Sequence, residues 1–511
     1  MKKWVMFSLA LVMVISVVLA GCSQGSNNTG SSTKQQGTSE GSKPKAPVKF
    51  SVFVSGSNMV PAEQDVITKQ LNKDLNMNME FNVVTTEYAQ QLNVRMAGGN
   101  APDVFQVDKN QLHEYTKQGL LLDIEQYLDR MPQIQASYSK EDLDRSRING
   151  KLYAIPKRPY LPMSTLWVRQ DWLDTLGLER PKTLEDIKNI AIAFKEDDPD
   201  GNNKPDTYAF TGIGLTTIDP VNAPATFDWV FSAFGIAGPG HFMSKDGKAV
   251  YSTVLTETKE ALAYIKELID LQVVDPEFLA NKGLKHQEKA FIGQAGLIHL
   301  NWATIARDKY IEQYKEINPN ASWEQLDALE GPGGKYHGFF DITATSGRYA
   351  ISKNVEKDPD KLNKILEFFD YITEGPGHEL VMYGIEGEHY KKENGEIVTL
   401  PAISDIGYSV NHQLTGRDER EYLSTKFVNQ IPFIEFAAAL PRVNTFSELV
   451  PIPEGLNADD IRKYELEELT KFIYGKRPLA EFDAFVDTLY STYNLEQYIA
   501  PAVEIHASLN P

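Results

Sequence analysis

Cysteine is almost absent from this sequence, because Cys22 is the only one among 511 residues. A single cysteine cannot form a disulfide within the chain, and a large domain does not require one. Beyond its first twenty residues, the sequence also lacks any apolar run of the roughly 20 residues that span a bilayer. The body of the chain is therefore expected to lie outside the membrane.

Basic residues are under-represented. Lysine and arginine total 51 and aspartate and glutamate 70, which gives a formal charge of −19. Removal of a leader that carries Lys2 and Lys3 makes the charge more negative by two. Such a surface repels phosphate backbones and anionic lipid headgroups, so nucleic acid is not expected as a partner.

The common catalytic signatures are missing as well. G-x-S-x-G occurs only at residues 21–25 and 37–41, where no strand-to-helix pattern supports a nucleophile elbow, and His378-Glu379 lacks the second histidine of a zinc protease. Gly331-Pro-Gly-Gly-Lys335 departs from the spacing of a phosphate-binding loop, so ATP hydrolysis is assigned to another subunit. We expect no enzyme. Because a glycosidase needs only two suitably spaced carboxylates, a surface-anchored glycan hydrolase or lyase stays open as the alternative.

The amino terminus predicts export. Lys2 and Lys3 precede the apolar segment 4–18, so residues 1–21 are interpreted as a signal peptide. Leu19-Ala20-Gly21-Cys22 resembles the bacterial lipobox. The resemblance implies lipidation of Cys22, with fatty acyl chains such as palmitate holding the protein at the membrane. An ordinary signal peptide or an uncleaved anchor is the alternative. Residues 22–46 are rich in Ser, Gly, Thr and Lys and predict a flexible tether.

The remaining chain, about 465 residues, exceeds the roughly 250–300 residues at which single cores stop growing, so at least two domains are expected. Its beginning alternates strand and helix patterns. They predict strands at 49–54, 79–83 and 103–107, with a helix from Pro61 and another over 87–96. This order predicts an α/β domain whose ligands lie beyond the carboxyl ends of parallel strands.

Several sequence blocks then carry a resemblance. They are Met96-Ala-Gly-Gly-Asn-Ala-Pro-Asp103, Gln118-Gly-Leu-Leu-Leu-Asp123, Asn149-Gly-Lys-Leu-Tyr-Ala-Ile-Pro156, Trp172-Leu-Asp-Thr-Leu-Gly177, Ala290-Phe-Ile-Gly-Gln-Ala-Gly-Leu297 and Phe472-Ile-Tyr-Gly-Lys-Arg-Pro478. Together they resemble the extracellular solute-binding proteins of carbohydrate ABC importers, and the last block resembles the large subgroup that includes alginate-oligosaccharide binders.

The resemblance implies a type II, periplasmic-binding-protein-like fold of two α/β lobes joined by hinge strands. The first lobe is expected to hold 47–163 and 347–382, and the second 164–346 and 383–511. It also implies a monomer at the extracytoplasmic face of the cell membrane that captures an oligosaccharide for an ABC permease. A binding lipoprotein for peptides or for a sensor kinase is a further alternative. Independently, residues including Ile461, Leu466 and Leu469 predict one apolar helix face.

An acidic loop predicts a metal site. Oxygen donors recur along the segment Asp198-Pro-Asp-Gly-Asn-Asn-Lys-Pro-Asp206, and calcium prefers six to eight hard oxygens. The predicted ligands are Asp198, Asp200, Asn202, Lys204 through its carbonyl, and Asp206. The pattern departs from an EF-hand because glycine comes one place early and Ala209 replaces the final glutamate. It resembles the calcium loop of the alginate binders more closely, except at Thr207. A solvated turn is the alternative.

A sugar site needs flat aromatic faces and a few polar groups in a concave pocket. Trp302 follows an apolar strand, in the block where the resemblance implies a stacking aromatic, and core packing is its alternative. Asp108 and Lys109 follow a strand of the opposite lobe, and Trp229 lies in an aromatic stripe typical of a core.

The remaining candidates lie near the expected crossing between lobes. Tyr336 and Arg348 flank that crossing, and Tyr383 and Glu386 belong to a glycine-rich turn. An arginine at Arg348 matches a sugar carboxylate in bidentate geometry, and a hinge salt bridge is the equally favoured alternative.

Overall fold

A computed structural model of the protein describes residues 46–216 and 224–509. The predicted signal peptide, Cys22 and all but the last residue of the predicted tether lie outside these ranges. The chain divides into the units Met1–Ala46 and Pro47–Pro511, and the fold described below is that of the second. Within the described ranges, no helix combines the length and the apolar character that crossing a membrane requires.

The strands are β1 (Val48–Ser55), β2 (Met77–Val84), β3 (Val104–Val107), β4 (Arg147–Ile148), β5 (Lys151–Leu152), β6 (Ala154–Pro156), β7 (Ser164–Arg169), β8 (Tyr208–Thr211), β9 (Phe242–Lys245), β10 (Lys248–Tyr251), β11 (Ala295–Asn301), β12 (Trp323–Gln325), β13 (Glu330–Gly331), β14 (Gly334–Lys335), β15 (Phe339–Asp341), β16 (Arg348–Ile351), β17 (Tyr390–Glu393), β18 (Glu396–Thr399) and β19 (Val443–Thr445).

The α-helices are α1 (Val66–Asp74), α2 (Tyr88–Ala97), α3 (Lys109–Lys117), α4 (Pro132–Ser137), α5 (Lys140–Asp144), α6 (Gln170–Leu176), α7 (Leu184–Glu196), α8 (Asp228–Ala233), α9 (Thr256–Asp270), α10 (Lys285–Phe291), α11 (Asp308–Ile317), α12 (Pro359–Tyr371), α13 (Pro376–Tyr383), α14 (Glu419–Lys426), α15 (Ile431–Ala439), α16 (Ala458–Ile473), α17 (Phe482–Ser491) and α18 (Leu495–Leu509). Short 3₁₀ helices cover Glu125–Arg130, Ser252–Val254, Trp302–Thr304, Lys353–Lys357, Pro401–His412, Val428–Gln430 and Leu479–Glu481.

The first sheet has five strands in the order β2-β1-β3-β16-β6. The strand β1 pairs in parallel with β2 and β3, and β16 runs antiparallel to β3 and β6. The predicted strand and helix order is confirmed here. The predicted helix start at Pro61 is wrong, because α1 begins only after Asp65, whose carboxylate accepts a hydrogen bond from the Thr68 amide at 3.0 Å and caps the helix.

Two further four-stranded sheets follow, in the orders β12-β7-β11-β8 and β10-β9-β19-β15. Besides the long segment between β16 and β19, two chain segments connect these sheets to the first one, one between β6 and β7 and one between β15 and β16. These segments lie side by side, because the Lys157 amide donates to the Gly347 carbonyl at 2.8 Å and the Thr345 hydroxyl donates to the Lys157 carbonyl at 2.9 Å. Paired crossings of this kind suit a hinge.

The 3₁₀ helix Pro401–His412 packs beside the first sheet. The His412 ring stacks on Phe81 at 4.2 Å, and its Nε2 lies 3.2 Å from the Asp65 carboxylate. The Asn411 side chain donates to the Ser57 carbonyl at 2.9 Å. A segment expected in the second lobe thus makes these contacts with residues expected in the first, and the exact lobe boundaries stay a prediction.

The apolar face of α16 differs from its prediction at one residue. Ile461 and Leu469 are buried as expected, but Leu466 is 42% exposed, so its assignment to the core is wrong. Positions i, i+4 and i+8 share a helix face, and Glu465 occupies the middle position between Ile461 and Leu469. Glu465 is 2% exposed, and burial raises the pKa of its carboxyl to about 7.

Candidate functional site

A cleft of about 860 Å³ lies where the loop after β1 meets the end of β11 and the 3₁₀ helix Pro401–His412. Its volume lies in the range of small-molecule sites. Its lining combines aromatic, charged and amide side chains; among the lining residues are Asn58, Val60, Met163, Asn301, Trp302, Arg307, Asp308, Asp405, Tyr408, Arg417, Glu419, Tyr422, Lys426, Phe427 and Gln430.

Trp302 forms one wall of this cleft. Six of the seven residues of β11 are buried, and the chain leaves the strand at Asn301, whose side-chain oxygen accepts from the Ala303 amide at 2.9 Å. This cap turns the chain into a 3₁₀ helix that begins at Trp302. The indole is 1% exposed and meets the Phe427 ring edge to face at 5.3 Å. Trp302 therefore lines the cleft while it also packs in the core.

Arg307 also contacts Phe427. Its guanidinium carbon is 4.6 Å from the centre of the Phe427 ring, a cation–π distance. Its Nε is buried and has no hydrogen-bond partner in the described part of the chain. Burial lowers the pKa of this guanidinium. Sequence reasoning missed Arg307, because no motif distinguishes it from other surface arginines.

Arg417 and Lys426 flank Tyr422 at the same cleft. Arg417 pairs with both carboxylate oxygens of Glu419 at 2.7 and 3.0 Å, and its guanidinium carbon lies 3.6 Å from the centre of the Tyr422 ring. The Lys426 ammonium donates to the Tyr422 hydroxyl at 2.9 Å. Although burial acts to raise it, these two cations lower the pKa of Tyr422.

Asp108 and Lys109 have structural partners at the start of α3. The Asp108 carboxylate caps this helix by accepting from the Gln111 amide at 2.8 Å. The Lys109 ammonium donates to the Ser447 carbonyl at 3.0 Å and also to the Val450 carbonyl. Burial lowers the pKa of Lys109 to about 8.

Arg348 lies near this contact and is 4% exposed. Its guanidinium donates to the Glu448 carboxylate at 2.8 Å and to the Arg145 carbonyl at 2.9 Å. Lys109 and Arg348 thus both bind the segment 447–450, and we call this set the 447–450 contact. For Arg348, the salt-bridge alternative describes the observed geometry.

The other predicted sugar ligands are dispersed. Trp229 is 2% exposed and stacks on Phe210 at 5.4 Å within a second core. Tyr336 is half-buried against that same core. Tyr383 is buried and lines a smaller cavity of about 280 Å³ that shares Arg417 and Tyr422 with the cleft. Glu386 is exposed. Of the eight predicted residues, only Trp302 lines the large cleft.

The predicted calcium loop is closely hydrogen-bonded. The Asn202 amide side chain donates to Asp200 at 2.8 Å and to Asp206 at 3.1 Å, and the Asn203 amide donates to Asp198 at 2.8 Å. The Thr207 hydroxyl instead donates to the Phe194 carbonyl at 2.8 Å. Lys204 lies in the same turn, where its amide donates to the Asn202 side chain.

The chemistry of this loop fits a hard cation. Partial burial and the neighbouring carboxylates of Asp198 and Asp206 raise the pKa of Asp200. Three carboxylates and an amide oxygen on one turn are the donors that calcium prefers. In the described part of the chain, however, no group of three or more His, Cys, Asp or Glu side chains is arranged to hold a metal ion.

Comparison with known proteins identifies a family. Residues 56–374 match the model of the bacterial extracellular solute-binding protein family. A Bacillus subtilis relative, the polygalacturonan/rhamnogalacturonan-binding protein YtcQ, is 28% identical over 78% of this chain and 76% of its own length. The lipoprotein LipO of the same organism is 27% identical over 78% of this chain and 75% of its own length.

A solved structure shows the fold. It is the EF-hand mutant of FusA, an ABC-transporter substrate-binding protein of Streptococcus pneumoniae, in complex with fructo-nystose. Its TM-score with this chain is 0.70 at 18% identity, and the match covers 90% of this chain and 99% of the FusA chain. This likeness confirms the predicted two-lobed α/β fold class.

Proposed function

We propose that this chain, which belongs to the family of bacterial extracellular solute-binding proteins, captures an oligosaccharide in the cleft beside Trp302 and delivers it to an ABC permease. The observation that carries the proposal is a cleft of about 860 Å³ that places the aromatic pair Trp302 and Phe427 among polar side chains. Sugar rings present apolar C–H faces and polar hydroxyls, so they need both kinds of surface. The named relatives, YtcQ and FusA, support a carbohydrate ligand.

Capture would use movement of two lobes. We propose bodies made of 47–163 with 347–382 and of 164–346 with 383–511, hinged at the paired segments that contain Lys157 and Gly347. A ligand that touches both walls of the cleft stabilises the closed population by its differential affinity. The family and the relatives are described as binding proteins. A transport receptor of this kind binds the sugar without catalysing a reaction on it.

The protein would work at the extracytoplasmic face of the cell membrane as a lipid-anchored monomer. Cys22 is the proposed lipid attachment site, and the relative LipO, a named lipoprotein, supports such an anchor. Residues 22–46 are the proposed tether, and a Gly/Ser-rich coil of about 25 residues would reach roughly 25–30 Å on average.

We also propose that the loop from Asp198 to Asp206 binds calcium as a structural ion, with Asp200, Asn202 and the carbonyl of Lys204 as further ligands. Calcium would supply the positive charge that offsets the crowded carboxylates. Because an ion that binds only the folded state stabilises it, added calcium should raise the melting temperature of the full chain, and a chelator should reverse the rise. Asp200→Asn should reduce the shift, whereas Asp246→Asn in another turn should leave it unchanged.

Thermal unfolding of the full chain against a glycan panel tests the proposed function. A ligand at one hundred times its dissociation constant should stabilise the protein by about 2.7 kcal/mol without being consumed. Product formation would instead support the hydrolase or lyase. A response to peptides and to no sugar would support the peptide-binding or sensory alternative.

A further inference from the structure

Arg307 is a partly buried cation of the cleft, and no described acidic side chain pairs with it. The guanidinium lies over Phe427 at 4.6 Å and its buried Nε has no hydrogen-bond partner in the described ranges. Its electrostatic neighbours are Tyr310 and Tyr422, and neither is a carboxylate. A partly buried cation without a carboxylate partner is costly, so a ligand that supplies an anion there removes part of this cost.

Of the other cations next to Tyr422, one is paired with an acid and the other has a hydroxyl as its hydrogen-bond partner. Arg417 holds Glu419 through two hydrogen bonds, and Lys426 donates to the Tyr422 hydroxyl. The acidic side chains of the cleft do not reach Arg307 either. Asp308 accepts from the Gln430 amide at 2.8 Å, and Asp405 is exposed. Arg307 is therefore placed to receive a new acidic group.

We infer that Arg307 binds the carboxylate of an acidic sugar residue, so that the ligand is an oligosaccharide containing uronate. The inference rests on the proposed function and specifies the ligand class of the same cleft. A guanidinium presents two parallel N–H donors that match a carboxylate, which a neutral hydroxyl cannot reproduce. Trp302 and Phe427 meet at 5.3 Å and line the same cleft, so an apolar wall lies beside the guanidinium.

An acidic ligand needs a local cation on this protein, because the protein as a whole is negatively charged. This protein carries a formal charge of −19, so its general field repels anionic ligands. An acidic sugar would bind such a protein only where a local cation is held free of internal ion pairs. Phe427 keeps the guanidinium in place by stacking and competes with no hydrogen bond of the ligand.

Titration calorimetry on the full chain tests the inference with matched ligands. The probes are trimers of galacturonate and of alginate uronates, each beside its carboxyl-reduced, neutral counterpart. At least one acidic trimer should bind ten- to hundredfold more tightly than its neutral counterpart. Arg307→Gln should remove this difference between the acidic and the neutral trimer, and Arg307→Lys should be intermediate.

Lys315→Gln is the control, because it removes the same charge from the exposed end of the helix that follows Arg307. Equal losses in Arg307→Gln and Lys315→Gln would overturn the inference, since a general field and not a direct contact would then act. Binding of neutral glycans with no preference for an acidic trimer would overturn it too and would leave the proposed function standing. Absence of binding to every glycan would overturn both. Circular dichroism of each variant checks that it is folded.

Discussion

The cleft and the 447–450 contact contain the same kinds of side chain but use them differently. At the contact, Lys109 donates to backbone carbonyls and Arg348 pairs with Glu448, so each cation has partners within the protein. At the cleft, Trp302 and Phe427 form a wall, and the guanidinium of Arg307 beside it has no acidic partner among residues 46–216 and 224–509. The residue types alone do not distinguish the two places. What distinguishes them is whether the polar groups are already satisfied, because a satisfied group has little to gain from a ligand.

The largest expected effect comes from the cleft wall. Trp302→Ala should destabilise the protein by about 3–5 kcal/mol, the usual cost of removing a large buried aromatic side chain, and should abolish any glycan-induced rise in melting temperature. Urea denaturation and thermal scans measure the two effects. Trp229→Ala, at a buried indole of the second core, should destabilise comparably while the folded fraction keeps its glycan affinity. Full affinity in the milder variant Trp302→Phe would show that the indole serves packing alone.

The next effect concerns Lys109 and depends on pH. Its pKa is lowered from 10.5 to about 8 by burial, so between these values the unfolded chain binds more protons than the folded one. Stability should therefore rise as pH increases from about 8 to 10.5, by at most about 3 kcal/mol from this group. Below pH 8 its contribution should be constant.

Lys109→Met removes this titration, so its stability should show a smaller rise over the same interval when both proteins are unfolded in urea across a pH series. Lys49→Met is the control, because Lys49 is exposed and its pKa is raised by Glu80. A Lys109→Met profile parallel to that of the unmodified protein would argue that the ammonium is solvated.

A smaller loss is expected at Arg348. Arg348→Ala should destabilise the protein by about 2 kcal/mol, because Glu448 and the Arg145 carbonyl lose a charged donor while Glu448 keeps partial access to water. In a double-mutant cycle, adding Glu448→Ala to Arg348→Ala should lower the free energy of unfolding only slightly further, because the two side chains interact mainly with each other. Glycan affinity should stay within twofold. A larger change in affinity would show that Arg348 contributes to glycan binding and not only to the 447–450 contact.

Sequence reasoning reached the family and the fold class, and both predictions are confirmed. The alternation of strand and helix before residue 107 depends on local periodicity, which one sequence displays directly. The acidic loop was visible for the same reason, because its donors lie within nine residues. Trp302 was found by its position after an apolar strand, and it does line the cleft.

The contacts of residues whose partners are distant in the sequence could not be predicted from local patterns. Arg307 and Phe427 are 120 positions apart in the sequence, and no local pattern predicts that one stacks on the other. The same holds for Arg348, whose partner Glu448 comes from a segment 100 residues later. Glu465 is buried on a helix face that the sequence assigned to Leu466, because the identity of the neighbouring elements decides which stripe faces inward.

The sequence by itself determined the features that depend on neighbours along the chain, namely the alternating strands and helices and the family blocks. It also predicts the export signal. The tertiary structure decided which cations have acidic partners and that Arg307 lies in the cleft with none among the described residues. The physical reason is that a side chain's availability depends on the hydrogen bonds and burial supplied by residues far away in sequence. Trp302 depends on both levels. Its position after an apolar strand predicted it from the sequence, and its contact with Phe427 in the cleft wall is a feature of the tertiary structure.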